Sequence, residues 1–434
     1  MNIAFLSLAQ TPPLSVPMRF FLTAPLFGIA AGLLLLFGGD GVLDNRWSIN
    51  TLLVVHMVTL GVLSMVMIGA LQQLLPVLMG VVIPRSNMVS RAIHFLWSVG
   101  TLLLLAGISQ HLPILNRFGV GLLALATLLF VGVILYALAR SDSKHGTLIA
   151  VATAVISLLF TLLFMLWILN SSGWLAPVVH PLTNLHMSWG LLGWFMLLLI
   201  GAAYQVVPMF QITPEFPIAV RRFLAPLIFV GLLLWSGSDL LQLVWMGWVA
   251  IAILVSALAL FAVVLLRLQL QRKRRLSDVT FTYWRVAMVA LLTSTVVWLV
   301  GYILGDSRWM ESAVVIFLMG GILSAVSGML FKIVPFLVWL HLNNLYQSAG
   351  EWQGNVPNVR QVIPERYSRW QFRVQMVSLG ILVVIPLGQF VDQGSRYLTQ
   401  AAGIAWIASF TMLLVILLLA RSKYQSVARA LNRG

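Results

Sequence analysis

Residues 56–80 read HMVTLGVLSMVMIGALQQLLPVLMG, residues 186–210 read HMSWGLLGWFMLLLIGAAYQVVPMF, and residues 319–335 read MGGILSAVSGMLFKIVP. Each stretch holds a glycine after Leu or Met (Leu60-Gly61, Leu192-Gly193, Met319-Gly320) and a second glycine further on (Gly69, Gly201, Gly328). A polar side chain follows (Gln73, Gln205, Lys332), then a proline (Pro76, Pro208, Pro335). The internal spacings are identical, and each set follows the one before at a nearly constant interval. Self-similarity at a fixed period marks a repeated architecture. Glycine and proline are common in membrane helices, but three matches in register are not a chance outcome. The glycines permit close backbone approach between helices. The prolines bend helix ends where freed carbonyls need partners.

Composition sets the solvent. Of 434 residues 61% are hydrophobic and 9% charged, with a mean hydropathy of +1.00. A soluble core stops growing near ~250–300 residues and cannot hide that much apolar surface. The absence of cysteine excludes disulfides, thiolate metal sites, iron–sulfur clusters and covalent c-type haem. Residues 1–16 lack the charged start and cleavage site of a signal peptide, so the first span is expected to be retained. The net charge of +15 is read as membrane orientation, not nucleic-acid binding, because no basic run is interleaved with aromatics in a soluble element.

Apolar runs of membrane-spanning length predict twelve spans near 17–38, 50–79, 91–110, 117–139, 147–169, 182–210, 221–240, 243–267, 281–304, 310–340, 371–391 and 399–420. With the N-terminus and every even-numbered connection in the cytoplasm, 21 of the 26 Lys and Arg lie inside. Only Arg46, Arg117, Arg308 and Arg396 lie outside, and Lys332 falls within a span. A missing span would invert this asymmetry downstream of it. The expectation is a single all-α transmembrane domain in an inner (cytoplasmic) membrane, both termini cytoplasmic, lipid its bulk partner. Its three repeats cover approximately 17–139, 147–267 and 281–420.

Twelve spans in three pseudo-symmetric four-helix arcs, the second helix of each ending in Gly-x6-Pro, resemble subunit I of the haem-copper oxidase superfamily. The divergent single-subunit relatives that include the NnrS proteins of nitric-oxide stress are the nearest in character. The resemblance covers the twelve-span body but is specific only in spans 2, 6 and 10. Those oxidases carry a copper-binding His and a cross-linked Tyr on span 6, His-His on span 7 and His-x-His on span 10. Here span 7 has no His, and span 10 has only His341 at its inner end. The resemblance therefore implies the scaffold without the oxygen-reducing centre.

Seven histidines remain. His56, His186 and His180 share one depth near the outer face; His94 and His145 lie toward the cytoplasm, His111 in an outer loop and His341 at an inner helix end. Ionisable groups within spans are expensive and point to function, and neutral imidazole is a haem ligand. Each also has a plain reading: a His bonded to a neighbouring helix, or for His180 an ordinary loop residue. In the repeat frame His186 stands two positions further ahead of Gly201 than His56 stands ahead of Gly69. Two positions rotate about 200° on a helix, so the two histidines aim in nearly opposite directions. By the resemblance, the later position of the span-10 pair faces the next ligand helix and the earlier one the previous helix. Rotated onto this chain, His56 faces span 6 and His186 faces span 2. A bis-histidine haem b in the shared pore is the expectation.

Haem propionates would call on Arg46, Arg308 or Arg396, the last resembling the family's propionate position between spans 11 and 12. Trp47, Trp174 and Trp189 are further candidates, although interfacial aromatic belts account for most such residues. His56-Met57 and His186-Met187 suggest soft Cu(I) ligation, which the roughly 100° between adjacent helix residues disfavours. Gln73, Gln205 and Lys332 would form a polar path for protons or ions, with snorkelling as the alternative for Lys332. The expected function is electron transfer or nitric-oxide and respiratory stress handling, without oxygen reduction; any enzyme activity would be that of an oxidoreductase. A redox role would draw on an electron-donor protein or a quinol. The alternatives are a transporter or sensor of haem, copper or a small solute, or an assembly or stress factor without chemistry of its own.

Overall fold

The computed structural model describes residues 11–38, 42, 46–79, 81, 83–141, 146–171, 180–273, 278–348, 356–387 and 394–431. Among them the regular structure is entirely helical. The long helices are α1 (Ser15–Phe37), α2 (49–79), α3 (Ser86–Ser109), α4 (Pro113–Ala139), α5 (Gly146–Ser171) and α6 (180–211), then α7 (Ile218–Leu241), α8 (Val244–Leu270), α9 (Val279–Leu304), α10 (307–348), α11 (Glu365–Leu387) and α12 (Gly394–Leu431), with a single short turn at Val359–Val362. Eleven of them, all but α11, are long and apolar enough to cross a membrane. α11 opens with Glu365, Arg366, Arg369 and Arg373, and residues 388–391 of the expected eleventh span lie outside the described residues. Two helices overrun their expected spans: α10 continues past residue 340 to Ser348, and α12 past 420 to Leu431. Hydropathy marks where lipid ends, whereas a helix satisfies its own backbone in either solvent.

The packing repeats with the sequence. In each set of four, the first helix lies on the second (α1 on α2, α5 on α6, α9 on α10) and the third on the fourth (α3 on α4, α7 on α8, α11 on α12). Each fourth helix meets the first of the next set, α4 on α5 and α8 on α9, and α12 closes the ring against α1. The repeat glycines are points of close approach. A methyl group at Gly69 would stand 2.7 Å from Phe20 Cβ on α1, one at Gly201 3.0 Å from Ala150 Cβ on α5, and one at Gly328 2.5 Å from Tyr283 Cβ on α9.

The sequence pattern does not reveal that α2, α6 and α10 each contain a π-helical stretch, at Met57–Ser64, Trp189–Met196 and Ile316–Leu323. All three start at the same distance ahead of their first repeat glycine, Gly61, Gly193 or Gly320, so they share the register of the sequence repeat. π turns are rare, cluster at functional sites, and leave carbonyls free for other donors. In α2 the indole N–H of Trp97 on α3 donates to the Leu60 carbonyl at 3.1 Å.

Candidate functional site

His56 sits at the last α-helical position before the π turn of α2, and His186 within the turn that precedes the π turn of α6. Each imidazole donates Nδ1–H to a backbone carbonyl: His56 to Leu52 at 2.8 Å, and His186 to Thr161 on α5 at 3.0 Å. A carbonyl can only accept, so both rings are fixed as the Nδ1–H tautomer with the lone pair on Nε2. Among the described residues neither Nε2 has a hydrogen-bond partner. This is the arrangement in which a histidine is oriented to ligate a metal through the other nitrogen. The two rings lie within electrostatic reach of one another. Both side chains are partly buried.

The remaining histidines are engaged or peripheral. His94 Nε2 bonds Thr23 Oγ1 at 2.9 Å. Both nitrogens of His341 meet carbonyls, of Leu337 at 2.9 Å and Pro12 at 3.0 Å. His111 is exposed, with φ 52°. His145 and the side chain of His180 lie outside the described residues.

Among the expected cations, Arg46 is the one tied to the histidine-bearing helices. Its Nη2 donates to Asn184 Oδ1 at 2.7 Å, two residues before His186, and its guanidinium stacks on Trp47 at 4.4 Å. Its backbone N–H donates to Glu311 Oε1 of α10 at 3.4 Å. Asn184 and Glu311 stand at the same distance ahead of Gly193 and Gly320 and so occupy the same repeat position, a signal that the repeat register contains. Arg308 is exposed and forked onto Asp306, with Nη2 to Oδ2 at 2.7 Å. Arg396 is exposed in the first turn of α12. Trp189 is packed inside: its indole donates to Ser236 Oγ at 2.9 Å and its ring stacks on Phe160 at 4.3 Å. Trp174 lies outside the described residues.

Among the described residues no hydrogen bond joins Gln73, Gln205 and Lys332 to one another. Lys332 Nζ is 2.7 Å from Asp278 Oδ2, just before α9, an ion pair in place of snorkelling. Gln205 Nε2 donates to Thr147 Oγ1 at the start of α5, 3.1 Å away. Each has its partner at the start of the first helix of its own arc. At the start of α1 stand Leu14 and Ser15, and both amide atoms of Gln73 are buried without a partner.

Metal chemistry is bounded by the ligand count. Among the described residues no cluster of three or more His, Asp or Glu side chains could hold an ion. Two imidazoles alone make a poor copper site but suffice for a porphyrin, which brings four nitrogens of its own. No protein-family model matches the chain, and no curated protein is similar to it.

Proposed function

We propose that this is a haem-binding protein of a bacterial-type inner membrane, in which His56 and His186 would hold one haem b. The observation that carries the reading is the pair of deeply set imidazoles, each held by a backbone carbonyl through Nδ1 and open at Nε2. Haem would supply one-electron redox chemistry there. The chain's own contribution is to fix both tautomers, to keep the rings in an apolar surrounding, and to place Arg46 at the end of the site for a carboxylate. The role that fits is electron transfer or nitric-oxide and respiratory stress handling, fed by an electron-donor protein or a quinol. Oxygen reduction is not part of the proposal, since α7 and the outer half of α10 carry no histidine. The same reading takes α11 as a twelfth span, the arcs as a haem-copper oxidase-like ring, and both termini as cytoplasmic, on the strength of the Lys and Arg asymmetry.

The visible spectrum of the detergent-extracted protein tests this. A Soret band with the narrow α and β bands of six-coordinate low-spin haem is expected, lost or converted to high-spin in His56→Ala and in His186→Ala. Wild-type protein made with ample haem and lacking any Soret band would end the proposal.

A further inference from the structure

A cavity of ≈ 120 Å³ lies between α2, α6 and α10, away from the two histidines. Its wall is almost wholly apolar, with Met67, Ala70, Val206, Phe210, Met329 and Phe336 among its residues, and no charged side chain lines it. Three polar side chains interrupt it, and one of them, Thr147, is already engaged, its Oγ1 accepting from Gln205 Nε2. Gln73 is 3% exposed and both its amide atoms lack a partner; Trp284, from α9, is fully buried and its indole N–H lacks one too. They share a depth: Gln73 is the repeat counterpart of Lys332, and the residue before Trp284, Tyr283, packs on Gly328, one turn from Lys332. Buried polar atoms are almost always paired. Three unpaired ones on a single cavity point to something that pairs them.

Water alone is a poor occupant. A buried water needs roughly 10–15 Å³ of such space and two to four polar partners. The volume would take several waters, while Gln73 and Trp284 can satisfy about one. The space instead fits an apolar body with a single polar end. That end is neutral, because no charged group faces it and the nearby Lys332 is spent on Asp278. It accepts from Gln73 Nε2 and Trp284 Nε1, and a hydroxyl there could donate to Gln73 Oε1.

We propose that this cavity binds a neutral lipid-soluble molecule by one carbonyl or hydroxyl head, held between the Gln73 amide and the Trp284 indole. A membrane quinone and a long-chain alcohol share that chemistry. The site does not depend on the haem reading, since neither residue approaches His56 or His186 along the helices.

The test uses the full chain in lipid nanodiscs and two photoreactive probes, a diazirine-bearing short-tailed benzoquinone and a diazirine-bearing dodecanol. Labelling is expected on the cavity-lining segments of α2, α6 or α10. Suppression by unlabelled decylbenzoquinone or by unlabelled dodecanol identifies which source is bound. Gln73→Leu and Trp284→Phe should each cut that labelling by about tenfold, the worth of one hydrogen bond to a buried group, while any Soret band is unchanged. Failure of both probes to label these segments in the wild type, or labelling undiminished in both variants, overturns the proposal. The wild-type competition decides the matter even if a variant does not fold.

Discussion

Lys332 Nζ and Asp278 Oδ2 lie 2.7 Å apart, each side chain no more than 20% exposed, and together they fasten α10 to the start of α9. Asp278 is also the N-cap of α9, accepting from Phe281 N at 3.0 Å. Removing one partner of such a pair strands the other charge in a poorly solvated place. Lys332→Met is expected to lower stability by roughly 3 kcal/mol, and Asp278→Ala by about 1 kcal/mol more through the lost cap. The double variant Lys332→Met with Asp278→Asn, which keeps a capping oxygen, should recover most of the loss. Thermal unfolding in detergent across this cycle measures the coupling. Strictly additive losses would show that the pair contributes nothing.

The three repeat-equivalent glycines should not respond alike. A methyl at Gly328 would be driven to 2.5 Å from Tyr283 Cβ and one at Gly69 to 2.7 Å from Phe20 Cβ, atoms near the backbone that cannot swing away. At Gly201 the nearest atom is Ala150 Cβ at 3.0 Å. Overpacking of this kind costs about 1–3 kcal/mol. Gly328→Ala and Gly69→Ala are expected at the upper end, and Gly201→Ala at the lower end or below it. The melting temperatures of the three variants give the order, and equal losses would contradict it.

The sequence carried the repeat because close packing demands glycine at fixed positions, and that demand is written one residue at a time. It carried the two histidines for a similar reason, since an ionisable group inside a span has few innocent explanations. The π turns were not legible. They are backbone events set by packing along α2, α6 and α10, and no residue type announces them. The partners of Gln205 and Lys332 were missed because a polar group at the right depth can turn toward its own arc or toward the axis. What decided it was Thr147 and Asp278 at the starts of the neighbouring helices. Arg308 and Arg396 had the right charge and the expected side, but charge says nothing of reach, and Arg308 is taken by the acid two residues before it.

Asp306 gives a pH dependence. It caps α10, accepting from Arg308 N at 3.0 Å, and bonds from the Arg308 guanidinium hold its carboxyl below the usual carboxylate range. A depressed value in the folded state means that the stabilisation is complete above the unfolded value of roughly 4 and fades as pH falls through the lower folded value. Asp306 lies at the surface with its side chain 25% exposed, where solvent screens the pair, so the effect is small. Wild type should melt above Asp306→Asn at neutral pH, and the gap should narrow as the pH is lowered past about 4. A gap that holds constant on acidification would remove Arg308 as the cause.

The π turns bear on the proposed ligation. His56 and His186 both precede the π turn of their helix, while Gly69 and Gly201 follow it. The turn therefore sets the angle between each ligand and the packing surface that anchors its helix. Deleting one residue from Trp189–Met196 should restore regular α-helix there and rotate His186 by about 100° against Gly201. The ring would leave its bond to the Thr161 carbonyl and its approach to His56, while the α5–α6 contact at Gly201 stayed in place. Gly190 and Gly193 are better spared, because Gly193 packs on Ser157; Leu192 is the residue to remove. The expected result is a folded, monodisperse protein whose haem has lost one axial histidine, seen as a shift from a low-spin to a high-spin spectrum and new binding of carbon monoxide. The same deletion in Ile316–Leu323 of α10, which carries no proposed ligand, should leave the spectrum unchanged. A low-spin spectrum that survives the α6 deletion would place the second ligand on some residue other than His186.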